Sequence, residues 1–369
     1  MMNTLSSRVC AFVNQFQGGF PIAGRPFQGV AARLGMQEAV LIQTVQQLLD
    51  QNLLSRFGPL YDAARLGGGV TLAALSVPEP DFERVARLVN RLSEVAHNYR
   101  REHELNMWFV VAGGEQREVD GALALIAAQT GLRVYNFPKL HEFYLGLWLE
   151  FDGDGGVRTV PVPAQKLAPT DCRFTLDARD QRIVAATQAG LPLVVEPYAQ
   201  LAENLDLPVD EFMWAMCRLL SVGVIRRIGA VPNHYRLGLR GNGMTVWDVP
   251  DELAVSLGER VGALDFVSHA YLRPRYEGVW PYNLFAMVHG RDRTEVLEKS
   301  AQLKKVLGGV VRAHDVLFST AILKYNTPQT HMQTVYQIPL STPCFVNKSS
   351  ALKCEHVQIN KKKIDFQME

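Results

Sequence analysis

Two short rows of histidine, tyrosine and arginine are the part of this sequence best suited to chemistry. The first row consists of His97, Tyr99, Arg101 and His103, and the second of His269, Tyr271, Arg273 and Arg275. Residues two apart on a β-strand point to the same face. Each row would therefore present proton-exchanging imidazoles, hydrogen-bonding phenols and permanently charged guanidinium groups. Such a face suits a large flat anion with several carboxylates, and it would also suit a subunit interface built from Arg–carboxylate pairs.

Further polar and aromatic residues follow each row. Asn106 and Trp108 come after the first row, and Trp280, Tyr282, Asn283, Phe285 and His289 come after the second. We predict that His97, His269 and His289 are the acid–base groups, because histidine is the side chain that most often transfers protons in catalysis. His289 corresponds to Ala112 in the first half. The two halves are therefore predicted to be unequal.

The chain contains the same arrangement twice. At one constant offset Gly19-Phe20-Pro21-Ile22 reappears as Gly190-Leu191-Pro192-Leu193, and Arg56-Phe57-Gly58 as Arg227-Ile228-Gly229. One residue further on, His97-Asn98-Tyr99-Arg100-Arg101 corresponds to His269-Ala270-Tyr271-Leu272-Arg273. Several anchors in one order indicate a duplicated unit.

Each copy is predicted to begin with three short helices and a β-ribbon, the pattern of a winged helix-turn-helix. The helices are expected at 4–16, 27–34 and 37–52, and at 177–189, 198–205 and 208–222, with ribbons at 54–60 and 224–237. Strands and helices then alternate in the order βαββαβ, which predicts a ferredoxin-like sheet with helices on one face and the other face open. The predicted fold class is α+β, with two tandem copies of this pair of domains.

The repeat sets the expected domain boundaries. Copy one comprises a winged helix-turn-helix at 1–62 and a ferredoxin-like domain at 63–151, and copy two comprises the same domains at 172–240 and 241–330. A linker rich in Gly, Asp and Pro joins the copies at 152–171, and a polar tail follows at 331–369.

Composition narrows the class of protein. The formal net charge is +1, which gives no general attraction to nucleic acid or to a membrane surface. The five cysteines are scattered without the spacing of a metal site or a redox dithiol. No apolar run approaches the length of a membrane span and no secretion signal is recognisable. We therefore expect a cytoplasmic protein with reduced thiols.

The helices in the position of a DNA-recognition helix argue against DNA binding. Residues 36–53 contain no Lys or Arg, and their counterpart at 208–222 offers Asp210, Glu211 and a single Arg218. Phosphate contacts need cationic groups, which supply most non-specific affinity for DNA. We expect these helices to serve as scaffold. His141, His234 and His314 are likewise predicted to be structural, and Trp148, Trp214 and Trp247 to lie in the core.

The motifs carry two resemblances. A winged helix followed by a ferredoxin-like domain resembles the Lrp/AsnC regulators, which keeps a tetrapyrrole-sensing or metabolite-sensing regulator open as the alternative. The segments His97-Asn98-Tyr99-Arg100-Arg101 and Asn106-Met107-Trp108-Phe109 resemble the first half of siroheme decarboxylases that fuse a NirD-like and a NirL-like half. The segments His269 to Arg275, Trp280-Pro281-Tyr282-Asn283 and His289-Gly290 resemble the second half. This similarity extends over about 5–330.

The resemblance to siroheme decarboxylases implies an enzyme, a carboxy-lyase. It would remove two acetate carboxylates from siroheme without oxidation, giving 12,18-didecarboxysiroheme on the route to haem d1. No separate cofactor is implied, because siroheme carries its own iron. The resemblance implies that His269 and His289 act either as acids or as contacts to that iron, with His97 as the first-half counterpart of His269. Expected partners are siroheme, its product, a second copy in a homodimer and other haem d1 biosynthesis proteins, with no DNA and no membrane. The implied substrate-binding residues are Tyr99, Arg100, Arg101, Asn106, Trp108, Tyr271, Arg273, Arg275, Trp280, Tyr282 and Asn283, with Phe285 beside them.

Overall fold

A computed structural model describes residues 5–62, 65–152, 156–163 and 174–325. Helices begin both copies: α1 Ser7–Phe16, α2 Pro26–Arg33 and α3 Glu38–Asp50 in copy one, and α6 Ala178–Thr187, α7 Pro197–Asn204 and α8 Val209–Ser221 in copy two. Both second helices start with proline, which is pre-set for the first helical turn. The predicted tail lies outside the described residues.

The predicted wings differ from the structure in how they pair. Each copy supplies one strand, β1 Leu54–Tyr61 and β9 Ile225–Pro232, and the two strands pair antiparallel with each other. The expectation of a separate ribbon at 54–60 and at 224–237 was therefore wrong. The alternation of apolar residues identifies a strand but carries no information about its partner. One ribbon joins the two helical domains over a shared apolar core.

The repeated Arg-x-Gly anchor lies at the centre of this ribbon. Gly58 pairs directly with Gly229. A Cβ on Gly229 would lie 2.1 Å from the carbonyl oxygen of Phe16, and one on Gly58 would lie 2.8 Å from the Cα of Gly190. Both contacts involve backbone, which cannot move aside cheaply. The glycines are therefore needed for the close approach of each strand to the end of a helix.

Gly229→Ala is expected to lower the free energy of unfolding by about 1–3 kcal/mol, because the added methyl overpacks a rigid contact. Urea denaturation measures the change. Gly29→Ala is the matched control, since Gly29 lies within α2 with open space around its Cβ position. That control should be neutral or should stabilise by about 0.4–1 kcal/mol. Equal stabilities of the two variants would contradict the packing argument.

The second domain of each copy is the predicted βαββαβ unit. Copy one contains β2 Gly69–Leu75, α4 Phe82–Arg91, β3 Val95–Arg101, β4 Met107–Gly113, α5 Gln116–Thr130 and β5 Tyr135–Phe137. Copy two contains β10 Gly241–Asp248, α9 Ala254–Gly262, β11 Val267–Leu272, β12 Leu284–Gly290, α10 Arg293–Leu307 and β13 Ala313–Tyr325. Each sheet has the order fourth, first, third, second strand, and its helices cover one face.

Strand exchange joins the two units into a nine-stranded sheet. The first part of β13 pairs with β10 in its own copy, and the part from Ser319 onward pairs with β3 of copy one. In the reciprocal arrangement, β6 at His141–Leu145 follows β5 and pairs with β11 of copy two. In each copy, the chain at the end of the βαββαβ unit therefore pairs with the second strand of the other copy.

The open faces of the two sheets pack against each other. The cluster between them draws on both copies and includes Ala74, Leu105, Trp108, Phe137, Met244, Val246, Trp280, Phe285 and Leu317. Trp108 and Trp280 are fully buried, with ring centroids 5.0 Å apart. Burial of such large side chains is a main source of stability here.

Part of the predicted linker forms regular secondary structure. Trp148–Phe151 forms β7 and pairs with β8 at Val157–Val160, which lies inside the segment expected to be a linker. The Gln17 side chain fixes β7 to α1 by hydrogen bonds to both the N–H and the carbonyl of Leu149. Among the described residues, no helix is long and apolar enough to cross a membrane.

Candidate active site

The two predicted rows lie on the inner faces of the sheets. In copy one the His97 and Tyr99 ring centroids are 6.3 Å apart, and the Arg101 guanidinium lies 5.6 Å from the Tyr99 ring. The second row repeats this, with 6.1 Å between His269 and Tyr271 and 5.0 Å from Arg273 to the Tyr271 ring. The sequence-based prediction of a shared His–Tyr–Arg face is confirmed for these six residues.

Both arginines are anchored across the boundary between the copies. Arg101 donates to the carbonyl oxygen of Leu317, and Arg273 donates to the carbonyl oxygen of Phe137. Burial lowers the pKa of each guanidinium to about 10, so both groups stay charged at neutral pH but are poorly solvated. Their Nε atoms are buried without a hydrogen-bond partner among the described residues. Two such cations favour a bound anion.

Three histidines gather at one end of the copy-two sheet. The hydroxyl of Ser268 lies 2.7 Å from His269 Nδ1 and 2.9 Å from His289 Nε2, so it can donate to one ring and accept from the other. The ring centroid of His234 lies 4.7 Å from that of His289. His234 was expected to be a structural residue on the wing, and this contact was missed. It arises because the turn after β9 folds back onto the sheet.

The histidines are neutral in the free protein. Burial lowers the pKa of His97, His234 and His269 to about 4 and that of His289 well below its usual range. Positive charge on Arg226 and Arg273 lowers the pKa of His269 further. An anion placed among these groups would oppose both effects and raise the pKa values.

These depressed pKa values predict a loss of stability in mild acid. The ordinary histidine pKa is 6.5, so the unfolded chain takes up protons from about pH 6.5 downward while the folded chain does so only near pH 4. The free energy of unfolding should therefore fall across this window, by on the order of 3 kcal/mol for each such histidine when titration is complete. Urea denaturation between about pH 7 and about pH 5, where carboxylates hardly titrate, measures the slope. His269→Gln should flatten it, and an unchanged slope would contradict the assignment.

A tyrosine holds the turn near this cluster. Tyr235 follows His234, and its hydroxyl accepts a hydrogen bond from Asn242 Nδ2. Asn242 lies opposite His289 in the β10–β12 pair. Burial raises the pKa of Tyr235, so its hydroxyl is neutral at neutral pH. Neither Tyr235 nor Asn242 was predicted, since no local pattern marks them.

Arg100 and Arg275, both predicted to bind the substrate, pair with acidic side chains outside the two rows. Arg100 packs its guanidinium 4.3 Å from the Phe82 ring and pairs with Glu79, which places it on the helix-covered face, opposite Tyr99. Arg275 pairs with Asp248 and Asp251. The predicted alternation failed there because β11 ends at Leu272, three residues earlier.

The asparagines and tryptophans have structural contacts. Asn106 bonds both backbone groups of Val77, and Asn283 does the same to Val249, so the two asparagines have equivalent roles in the two copies. Trp108 and Trp280 belong to the cluster between the sheets. The substrate contacts predicted for these four residues stay predictions.

The remaining predicted residues make ring contacts or lie in the core. His103 lies past the end of β3 and accepts a hydrogen bond from the Leu105 N–H. The rings of His103 and Tyr282 both contact Trp280. His141 and His314 stack on Phe143 and Trp247. Trp148 and Trp247 are buried as expected, but Trp214 is 55% exposed, so its predicted core position was wrong. Helical spacing placed it beside the buried stripe of α8.

The two copies offer unequal sites. Copy two adds His289, Asn242 and Ser268 to its row. Arg226 also reaches from β9 to the carbonyl oxygen of Leu145 in β6, the strand paired with His269. In copy one, Ala112 corresponds to His289 and Val70 to Asn242, and Val70 is 45% exposed. Among the described residues no group of His, Cys, Asp and Glu could hold a metal ion.

Comparison with known proteins identifies the family. The model of the siroheme decarboxylase NirDL-like HTH domain matches residues 10–54 and 180–226, and that of the AsnC-like ligand binding domain matches 65–144 and 236–324. A siroheme decarboxylase of Hydrogenobacter thermophilus is 31% identical over 312 residues, which cover 84% of this chain and 90% of that protein. This chain belongs to the siroheme decarboxylase family. The predicted α+β architecture with helix-turn-helix and AsnC-like domains is confirmed.

One further relative and one solved structure are similar to this chain. The NirH subunit of Paracoccus pantotrophus is 56% identical over 148 residues, covering 40% of this chain and 92% of that protein. The crystal structure of the siroheme decarboxylase NirDL in complex with an iron-uroporphyrin III analogue superimposes with a TM-score of 0.63 at 27% identity, over 86% of this chain and 92% of that one.

Proposed function

We propose that this chain decarboxylates siroheme, removing two acetate carboxylates to give 12,18-didecarboxysiroheme, a step of haem d1 formation. The observation that carries the proposal is the buried pair of cations, Arg101 and Arg273, each beside a tyrosine and a neutral histidine on facing sheets. This arrangement suits a tetrapyrrole with carboxylates around its rim. Membership of the family and the match to a relative bound to an iron-uroporphyrin III analogue support it.

Arg101 and Arg273 would hold carboxylates that do not react. Their Nε atoms are unpartnered among the described residues, so each has donor capacity left after its backbone hydrogen bond. A guanidinium binds a carboxylate through two parallel hydrogen bonds, which fixes its orientation. Fixing the macrocycle by its outer groups leaves the reacting acetate free of an ion pair.

The reacting acetate loses carbon dioxide and gains a proton. The C–C bond to the carboxylate breaks, its electron pair stays on the methylene carbon, and a proton converts that carbon to a methyl group. His269 is our proposed donor, with Ser268 and His289 behind it in a hydrogen-bonded row. Because His269 is neutral in the free protein, the negative substrate must raise its pKa as it binds.

Anaerobic incubation of the purified protein with siroheme, with the product read by mass spectrometry, tests the proposal. The expected product lacks two carboxyl groups. Siroheme that binds and returns unchanged would contradict it and would favour the regulator alternative. The structure offers that alternative little support, since Arg218, the single cation of α8, pairs with the buried Asp180.

We also propose a cytoplasmic homodimer that functions with other haem d1 biosynthesis proteins. A relative is named as a subunit, the NirH subunit, which makes further association reasonable for this chain. Light scattering of the purified protein tests the homodimer, and a monomeric mass at micromolar concentration would contradict it.

A further inference from the structure

A turn from the second helical domain reaches the candidate site. Residues 234–238 follow β9 and are closed by backbone hydrogen bonds from Leu237 to Asn233 and from Leu239 to His234, of 3.0 and 2.9 Å. The turn places His234 and Tyr235 over the end of the sheet that carries His289. In a winged helix that binds DNA, the wing points to the DNA. Here the turn in the position of the wing points to the sheet.

We propose that this turn is part of the substrate site and that His234 binds a substrate carboxyl group through Nε2. The inference rests on the proposed function, since it takes siroheme as the ligand. The second helix-turn-helix domain would then take part in binding that substrate.

Two unpartnered ring nitrogens support this assignment. His234 Nε2 and His289 Nδ1 are buried and have no hydrogen-bond partner among the described residues. The two rings meet edge to face. Buried polar atoms are usually satisfied, so two unsatisfied nitrogens on neighbouring rings point to a missing ligand atom. A carboxyl group could accept a hydrogen bond from an imidazole N–H at either position.

The setting of the turn supports the same assignment. Asn242 Nδ2 donates to the Tyr235 hydroxyl and so holds the turn on β10, opposite His289. Of the cations that lower the pKa values of the neighbouring histidines, Arg226 and Lys299 are paired with carboxylates of Asp62, Glu142 and Glu295. Arg273 keeps a buried Nε without a partner among the described residues. The turn therefore brings a further hydrogen-bonding group to the sheet that carries the proposed proton donor.

Titration with siroheme, followed by its absorbance under anaerobic conditions, measures the dissociation constant without requiring turnover. His234→Phe keeps the ring volume but removes the donor, and the Kd should rise roughly tenfold or more, as expected for a lost hydrogen bond to a charged group. His234→Gln can still donate and should stay within about threefold of wild type. His314→Phe is the matched control, because His314 stacks on Trp247 away from the site, and it should bind as wild type.

A wild-type Kd for a folded His234→Phe variant would overturn the role of His234. If the wild-type protein binds siroheme without converting it, the proposed reaction fails while this comparison of dissociation constants still decides the inference.

Discussion

Replacing His269 with alanine is expected to reduce the rate of decarboxylation by roughly 10²–10⁴-fold while siroheme still binds. The imidazole lies on the inner face, beside Tyr271 and within hydrogen-bonding distance of Ser268, and we propose it as the proton donor to the new methyl group. Removing the donor leaves the arginines in place, so binding should change much less than turnover. Single-turnover conversion measured by mass spectrometry gives the rate, and an absorbance titration gives the Kd.

The duplicated row provides a control for this experiment. His97 is the copy-one counterpart of His269, with the same neighbours, Tyr99 and Arg101, but with Ala112 in place of a second histidine. We expect His97→Ala to retain most of the activity, because the complete cluster lies in copy two. Equal losses in the two variants would show that both sites contribute. Undiminished turnover in His269→Ala would remove it as the donor.

Arg273→Met is expected to weaken siroheme binding by about 2–5 kcal/mol, roughly 30-fold to several thousand-fold in Kd. The guanidinium is buried beside Tyr271, where water cannot replace its contact to a carboxylate. Methionine preserves much of the volume, so the change removes the charge and the N–H donors without opening a large cavity. Circular dichroism would verify that the variant folds, since Arg273 also donates to Phe137.

Arg275→Met is the matched variant two residues away. Both arginines were predicted from the sequence as carboxylate ligands, but Arg275 pairs with Asp248 and Asp251. Its loss should leave the Kd within about threefold of wild type, because partly exposed ion pairs contribute little. Similar losses of affinity in the two variants would contradict the distinction that the structure makes.

Local patterns were sufficient for much of this site. Alternation along β3 and β11 predicts that His, Tyr and Arg share a face, and the structure confirms it for both rows. The same rule explains why Arg100, one residue from Tyr99, lies on the opposite face. Arg275 lies outside the row because the strand ends before it and the alternation no longer applies.

The sequence by itself determined the duplication, the order of helices and strands, and which side chains line the inner faces, because each depends on periodicities within a few residues. Only the tertiary structure decided which elements meet. The ribbon between β1 and β9, the exchange of β6 and β13, and the contact of His234 with His289 all join distant segments. A strand's alternation specifies the face that is buried but leaves its neighbour undetermined, so these pairings depend on how the two copies pack against each other.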